Sequence, residues 1–287
     1  MLSAIAARPA APVAPRSLAW RIARGAVVSL YVELSLSPKP GLVCPGDNGS
    51  HRDMDAATLM ASLFSLRHYF RAIAAAGFSG APFRELQRLG VAAEARMLAA
   101  TCGVNTHRGA IFHLGLLAAA AGHLASGGQP VTAAGLSHTV RLRWSAAIHH
   151  MRPSAPSHGL LVAARYGAGG ARLEAMAGFP SLFGLALPCL RAALARGQHP
   201  RRALLHTLFV LIANVDDTNL LYRGGSTGLR FAQDAAREFV AAGGVAADGW
   251  EARVHAIRDA FVARNLSPGG AADLLAATWF AHLLAGP

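Results

Sequence analysis

Lysine is almost missing from this chain: its 27 basic residues include a single lysine, Lys39, and the rest are arginine. Aromatic residues are scarce too, at 7%, although hydrophobic residues reach 53%. The core must then be built from Ala, Leu and Val, which suits close-packed helices, because the β-branched and aromatic residues that favour strands are sparse. No stretch alternates with a period of two, and no turn dipeptide joins two such runs, so a sheet architecture is excluded. The three cysteines, Cys44, Cys102 and Cys189, are too widely spaced for a disulfide framework or a zinc site. A reducing, cytoplasmic setting is expected. No block of like charge and no interleaved aromatics accompany the net charge of +12, which argues against a nucleic-acid interface. Arginine on a solvated surface, or attraction for a small polyanion, accounts for it better.

Long apolar runs are also lacking. Gly109 to Val140 has no charged residue, but His113, His123, Gly127, Gly128 and Pro130 interrupt it, and its apolar part, Ala110 to Ala125, falls short of the roughly 20 residues of a span. Ala203 to Val215 is shorter still. Both read as helices buried on all sides, which speaks against a membrane protein despite a mean hydropathy of +0.33. Residues 1–16 carry Pro9, Pro12 and Pro15 without a continuous apolar core, so a flexible tail rather than a secretory signal is expected. Residues 17–287 read as one all-α domain of about ten helices.

The periodicity of Leu18, Ile22, Ala26, Leu30 and Leu34 predicts a helix over 17–34. Further helices are expected from Asp53 or Asp55 to Gly77, from Pro82 to about Cys102, and over 110–125, 131–150, 181–196, 201–215, 227–242 and 249–264, with a last one after 273. Between them lie Gly- and Pro-rich breaks at 37–55, 103–110, 149–180, 216–226 and 265–273.

Carboxylates are few, 15 in all, and Glu33, Asp47, Asp53, Asp55, Glu174, Asp216, Asp217 and Asp273 lie in or beside those breaks. The same breaks carry Lys39, His51, His107, Arg108, Arg172 and Arg223. Acids and bases gathered at helix ends predict a polar site at one end of a bundle. Helix N-termini would present N–H groups to phosphates, and the acids would hold magnesium or act as bases. Asp53 and Asp273 also suit helix N-caps. His68, His113, His123 and His199 read as ordinary helix residues.

Five segments, "ELSLSPKPGLVCPGDNGSHRDMD", "GVNTHRGAIFHLG", "SHG" with "YGAGGARLEA", "DDTNLLYRGG" and "LSPGGAADLLA", run in order from residue 33 to 276. In them the chain resembles the triphosphoribosyl-dephospho-CoA synthase family, which makes the prosthetic-group precursor for citrate lyase and malonate decarboxylase. It departs from the family pattern at Leu173, where a small glycine is usual, and at Cys44 and Pro45. The resemblance implies that the 2′-hydroxyl of 3′-dephospho-CoA attacks the anomeric carbon of ATP and that adenine leaves, through an oxocarbenium-like transition state. It also implies a hand-over of the product to a phosphoribosyl-dephospho-CoA transferase acting on an acyl carrier protein.

On that reading Lys39, Arg108, Arg172 and Arg223 are expected to clamp the triphosphate, with Asn48, Asn105, Gly269 and Gly270 beside them. Lysine is a compact point charge and arginine a planar fork, so the lone Lys39, stiffened between Pro38 and Pro40, is expected to contact phosphate. Asp53, Glu174, Asp217, His51 and His107 are the catalytic candidates. Glu33, Asp53, Asp216, Asp217 and Asp273 are the magnesium candidates. Two other readings stay open: a magnesium-dependent hydrolase of an N-glycosidic bond, and a non-catalytic nucleotide-binding module. The Arg-rich character favours the malonate decarboxylase branch, and a homodimer is an open option.

Overall fold

A computed structural model describes residues 15–151, 162 and 165–286. The expected N-terminal tail lies outside them except for its last two residues, as does the "SHG" triplet. Every regular element among the described residues is helical, as the composition predicts. In chain order they are α1 (Pro15–Ser35), α2 (Ala56–Ser65), α3 (Arg67–Phe78), α4 (Phe83–Ala100), α5 (Arg108–Ser126) and α6 (Ala133–His149). Then come α7 (Gly170–Met176), a π-helical turn (Ser181–Ala186), α8 (Leu187–Ala195), α9 (Pro200–Asn214), α10 (Thr218–Ala241), a 3-10 turn (Gly244–Ala246), α11 (Trp250–Ala263) and α12 (Gly269–Ala285).

Helices α5 and α12 form the centre, with α1 and α3 packed on one side and α9 on the other. By length and composition α5 could cross a membrane. Its apolar residues from Ala110 to Leu124 are instead buried against neighbouring helices. An Ala-rich core needs short interhelix distances, and the α3–α5 crossing supplies them. A Cβ on Gly77 would stand 2.0 Å from the Ala119 carbonyl oxygen, and one on Gly122 would stand 2.2 Å from that of Ala74. The two backbones therefore touch where larger side chains would hold them apart.

The structure corrects several expected boundaries. The helix expected up to Gly77 is two helices joined at the fully buried Leu66. Its cap is Asp55, whose carboxylate accepts the Thr58 N–H at 2.8 Å, and not Asp53. The expected break at 216–226 is mostly helix. Asp217 caps α10 at Thr218, and the helix continues through one non-helical residue, Gly225, at φ 61°. Glycine tolerates that conformation, so the pair Gly224–Gly225 makes a kink rather than a loop. Asp273 is not a cap either: α12 begins at Gly269, which puts it inside the second turn. Helix α7 falls within the expected 149–180 loop.

Candidate active site

The starts of α5, α10 and α12 converge on the floor of one cavity of about 1750 Å³. A helix N-terminus leaves its first N–H groups unpaired and carries partial positive charge. Two aspartates meet those charges. Asp217, 1% exposed, accepts N–H bonds from Asn219 at 2.8 Å, Leu220 at 3.4 Å and Ala271 at 2.9 Å. It thereby caps α10 and fastens α12 to it. Burial pushes its carboxyl up, and these backbone N–H groups pull against that shift. Gly270 leaves room for it, since a Cβ there would stand 3.1 Å from the carboxylate. Gly269 gives the same room to Asn219, whose Nδ2 would lie 2.7 Å from such a Cβ.

Asp273 faces α5. A Cβ on Gly109 would stand 2.0 Å from its Oδ2. Burial, then the negative charges of Glu33 and Asp217, push its carboxyl well above the usual carboxylate range, with the Ala110 N–H acting in the other direction. Among the described residues it belongs to no ion pair.

His107 stands just before α5, buried. Thr106 Oγ1 donates to Ser62 Oγ at 2.6 Å, and Ser62 Oγ lies 2.6 Å from His107 Nδ1. With Ser62 donating onward to Nδ1, the imidazole proton sits on Nε2, which has no partner among the described residues. Burial, with the charge of Lys39 behind it, lowers this imidazole to about 4, so it is neutral at pH 7. His51 is also neutral, lowered to about 4 by burial and by Arg223. Its 3.7 Å approach to Asp53 is therefore not an ion pair. Its Nδ1 accepts from Arg223 at 3.1 Å and its Nε2 meets Ser267 Oγ at 2.9 Å.

The expected cations line up differently. Lys39 is not part of the cavity wall and is 1% exposed. Its ammonium donates to the Glu33 carboxylate at 2.5 Å and to the Glu33 carbonyl at 2.8 Å. That carbonyl belongs to the last turn of α1, where C=O groups lack helical partners. The structure thus gives Lys39 a place other than the phosphate contact expected of it: it closes α1 and holds Glu33 in the wall. Asn48 also lies off the cavity, exposed in a turn.

Arg108, Arg172 and Arg223 do line it, each with a protein partner. Arg108 pairs with Glu94 of α4, and its N–H is capped by Asn105 at 3.3 Å. Arg172 donates to the Ile148 carbonyl at 2.9 Å and to that of Met151, closing α6. Arg223 donates to the Ser50 carbonyl at 2.8 Å and to Asn265 Oδ1 at 2.9 Å, so it ties together the breaks at 37–55, 216–226 and 265–273. Glu174 accepts the Ser181 N–H at 2.7 Å and its hydroxyl at 2.9 Å, which caps the π-helical turn. Burial raises its carboxyl. Asp53 and Asp216 are exposed on the rim. Asp47 is outside the wall, in a two-bond pair with Arg258 of α11 at 2.6 and 2.8 Å.

The first loop reaches the cavity by close packing on the last one. Gly41 has φ 66°, and a Cβ there would stand 2.0 Å from the Leu266 carbonyl oxygen. Ser50 Oγ donates to that same oxygen at 2.6 Å. Every one of the five quoted segments contributes to the cavity wall.

This chain matches the family described as ATP:dephospho-CoA triphosphoribosyl transferase over residues 19–287. It belongs to that family. Among its relatives is a probable 2-(5''-triphosphoribosyl)-3'-dephosphocoenzyme-A synthase of Acinetobacter calcoaceticus, 39% identical over 91% of this chain and 90% of that protein. The 2-(5''-triphosphoribosyl)-3'-dephosphocoenzyme-A synthase of Pectobacterium atrosepticum is 42% identical over 88% of this chain and 86% of its own. A probable synthase of the same name from Azotobacter vinelandii is 44% identical, with 92% and 91% covered. No solved structure matches. The chain is thus a transferase of this family.

Sequence reasoning missed part of the wall. Phe83, Leu86, Gln87, Gly90, Val91 and Glu94 of α4 line it, as does His113 of α5. The α4 residues recur at three- and four-residue steps around a glycine in mid-helix, which is the signal that was present. His113 reads as a core residue by pattern. It is buried, neither ring nitrogen is bonded among the described residues, and its ring meets Phe179 edge-on at 5.5 Å.

Proposed function

We propose that this enzyme transfers the 5-triphosphoribosyl group of ATP to the 2′-hydroxyl of 3′-dephospho-CoA and releases adenine. The observation that carries this reading is the meeting of five distant segments on one cavity, within a chain that matches the family from residue 19 to 287. A bond forms between the 2′-oxygen and the anomeric carbon. The bond from that carbon to adenine breaks, and its electron pair leaves with the base. The hydroxyl proton goes to Asp273. A carboxyl raised above its ordinary value is a stronger base than an unshifted one, and Asp273 of α12 faces the start of α5 within the cavity wall. The neutral His107 offers its Nε2–H as a donor to the departing adenine or to ribose.

Among the described residues no three His, Cys, Asp or Glu side chains form a metal cage. Asp217 spends its oxygens on backbone N–H groups and Glu33 is paired with Lys39. These residues do not fit a magnesium site built by the protein. An ion carried in as MgATP needs only one or two carboxylates beside the phosphates, and the rim residues Asp53 and Asp216 suit that. We assign the product to the precursor supply of malonate decarboxylase, by way of a transferase acting on its acyl carrier protein, in the cytoplasm. The Arg-rich composition is what favours this branch over citrate lyase.

The test is free adenine, followed with ATP and magnesium. We expect release with dephospho-CoA and none with CoA, whose 3′-phosphate crowds the nucleophile. Release with ATP alone would make the protein a hydrolase instead.

A further inference from the structure

The cavity is larger than one nucleotide needs. Pockets for a single small ligand commonly hold roughly 300–1,000 Å³, against about 1750 Å³ here. Part of the surplus lies along α4, away from the carboxylates. Phe83, Leu86, Gly90 and Val91 form one stripe of that helix facing the cavity, with Leu59 and Ile73 also in the wall. The stripe ends at Glu94, whose partner Arg108 opens α5 beside the polar floor. From Phe83 to Glu94 the helix rises about 16 Å.

Gly90 is the feature that packing does not explain. Glycine in a helix interior costs ~0.5–1 kcal/mol relative to alanine. It is tolerated at Gly77 and Gly122 because backbones touch there. A Cβ on Gly90 would meet only the Tyr69 hydroxyl, at 3.8 Å, an ordinary contact. The space it leaves belongs to the cavity. Val91 beside it is 42% exposed and is part of the cavity wall.

We infer that this arm holds the pantetheine chain of dephospho-CoA, with the nucleotide end of that substrate at the polar floor. This rests on the proposed reaction. Pantetheine is an apolar chain with two amides and about twelve backbone atoms, equal to four extended residues or ~14 Å. That length fits the stripe. The polar triphosphate of ATP fits the helix starts and not a wall of Leu, Phe and Val.

Gly90→Leu tests it, because the change fills the arm without meeting backbone and favours helix. The readout is equilibrium binding by calorimetry, which does not depend on turnover. We expect the affinity for dephospho-CoA to fall at least tenfold, those for ATP and ADP to stay within twofold, and the melting temperature to hold or rise. An unchanged affinity for dephospho-CoA, or an equal loss for all three ligands, would overturn the assignment. Wild-type protein that binds dephospho-CoA in this way yet releases no adenine would count against the proposed reaction and leave the arm standing.

Discussion

Lys39 shows how a residue's chemistry is settled by its surroundings. Its ammonium is buried under the site, shared between the carboxylate and the carbonyl of Glu33. Removing one partner of a buried pair leaves the other charge uncompensated, which costs about 3–5 kcal/mol. Lys39→Ala should therefore lower the melting temperature strongly and release Glu33 from the wall. A folded variant of wild-type stability would show that the pair contributes nothing. Asp273 behaves oppositely. Its folded-state carboxyl lies above the unfolded value, so it favours folding below the unfolded value, near pH 4. That contribution is lost as pH rises through the folded value. Above its folded-state value the ionised group is a burden on stability kept for chemistry. Asp273→Asn should raise the melting temperature at neutral pH and flatten its decline from pH 4 upward. It should also lower kcat by about 10²–10⁴, the usual worth of a general base. Loss of activity without any stability gain would point to a fold defect.

At the scale of elements, the joint between α10 and α12 hangs on Asp217. One carboxylate satisfies N–H groups of both helix starts. Each lost cap costs about 0.5–2 kcal/mol, so Asp217→Ala should lose roughly twice that in a denaturant titration. Asn also caps well. With one acceptor oxygen in place of two, Asp217→Asn should keep the α10 cap and lose the Ala271 bond, giving about half the stability loss of Ala, and should keep much more activity than Asp273→Asn. Near-complete inactivation by Asn with intact stability would instead return Asp217 to the metal-ligand role expected from the sequence. Helix periodicity was legible in the sequence, because apolar spacing depends on local residues only. The carboxylates and arginines of the loops were legible as a group for the same reason: polar residues cluster where backbone ends need partners. Their individual roles were not. Capping and phosphate binding ask for the same residue types, and only distance separates them. Gly225 was read as a break because glycine permits one, yet helix resumes on both sides. The α4 wall escaped because apolar residues facing a cavity look, in one dimension, like residues facing a core.

At the scale of the whole molecule, the proposed reaction puts both substrates in one chamber of about 1750 Å³. Asp217 and Glu33 are already engaged, so among the described residues of the floor Asp273 is the carboxylate left to carry a covalent sugar. With room for two ligands and a single candidate base, the acceptor hydroxyl should attack ATP directly while both are bound. Initial rates at varied ATP and several fixed dephospho-CoA concentrations should then give intersecting double-reciprocal lines. Parallel lines are the fingerprint of a covalent intermediate that outlives the first product. They would require adenine to leave before dephospho-CoA arrives, and would turn Asp273 from a base into a nucleophile. The net charge of +12 adds a second handle on the same scheme. It should draw in both polyanionic substrates and speed encounter at low ionic strength. Added salt should therefore depress kcat/KM for each substrate alike, while kcat, set at the buried Asp273 and His107, should change little.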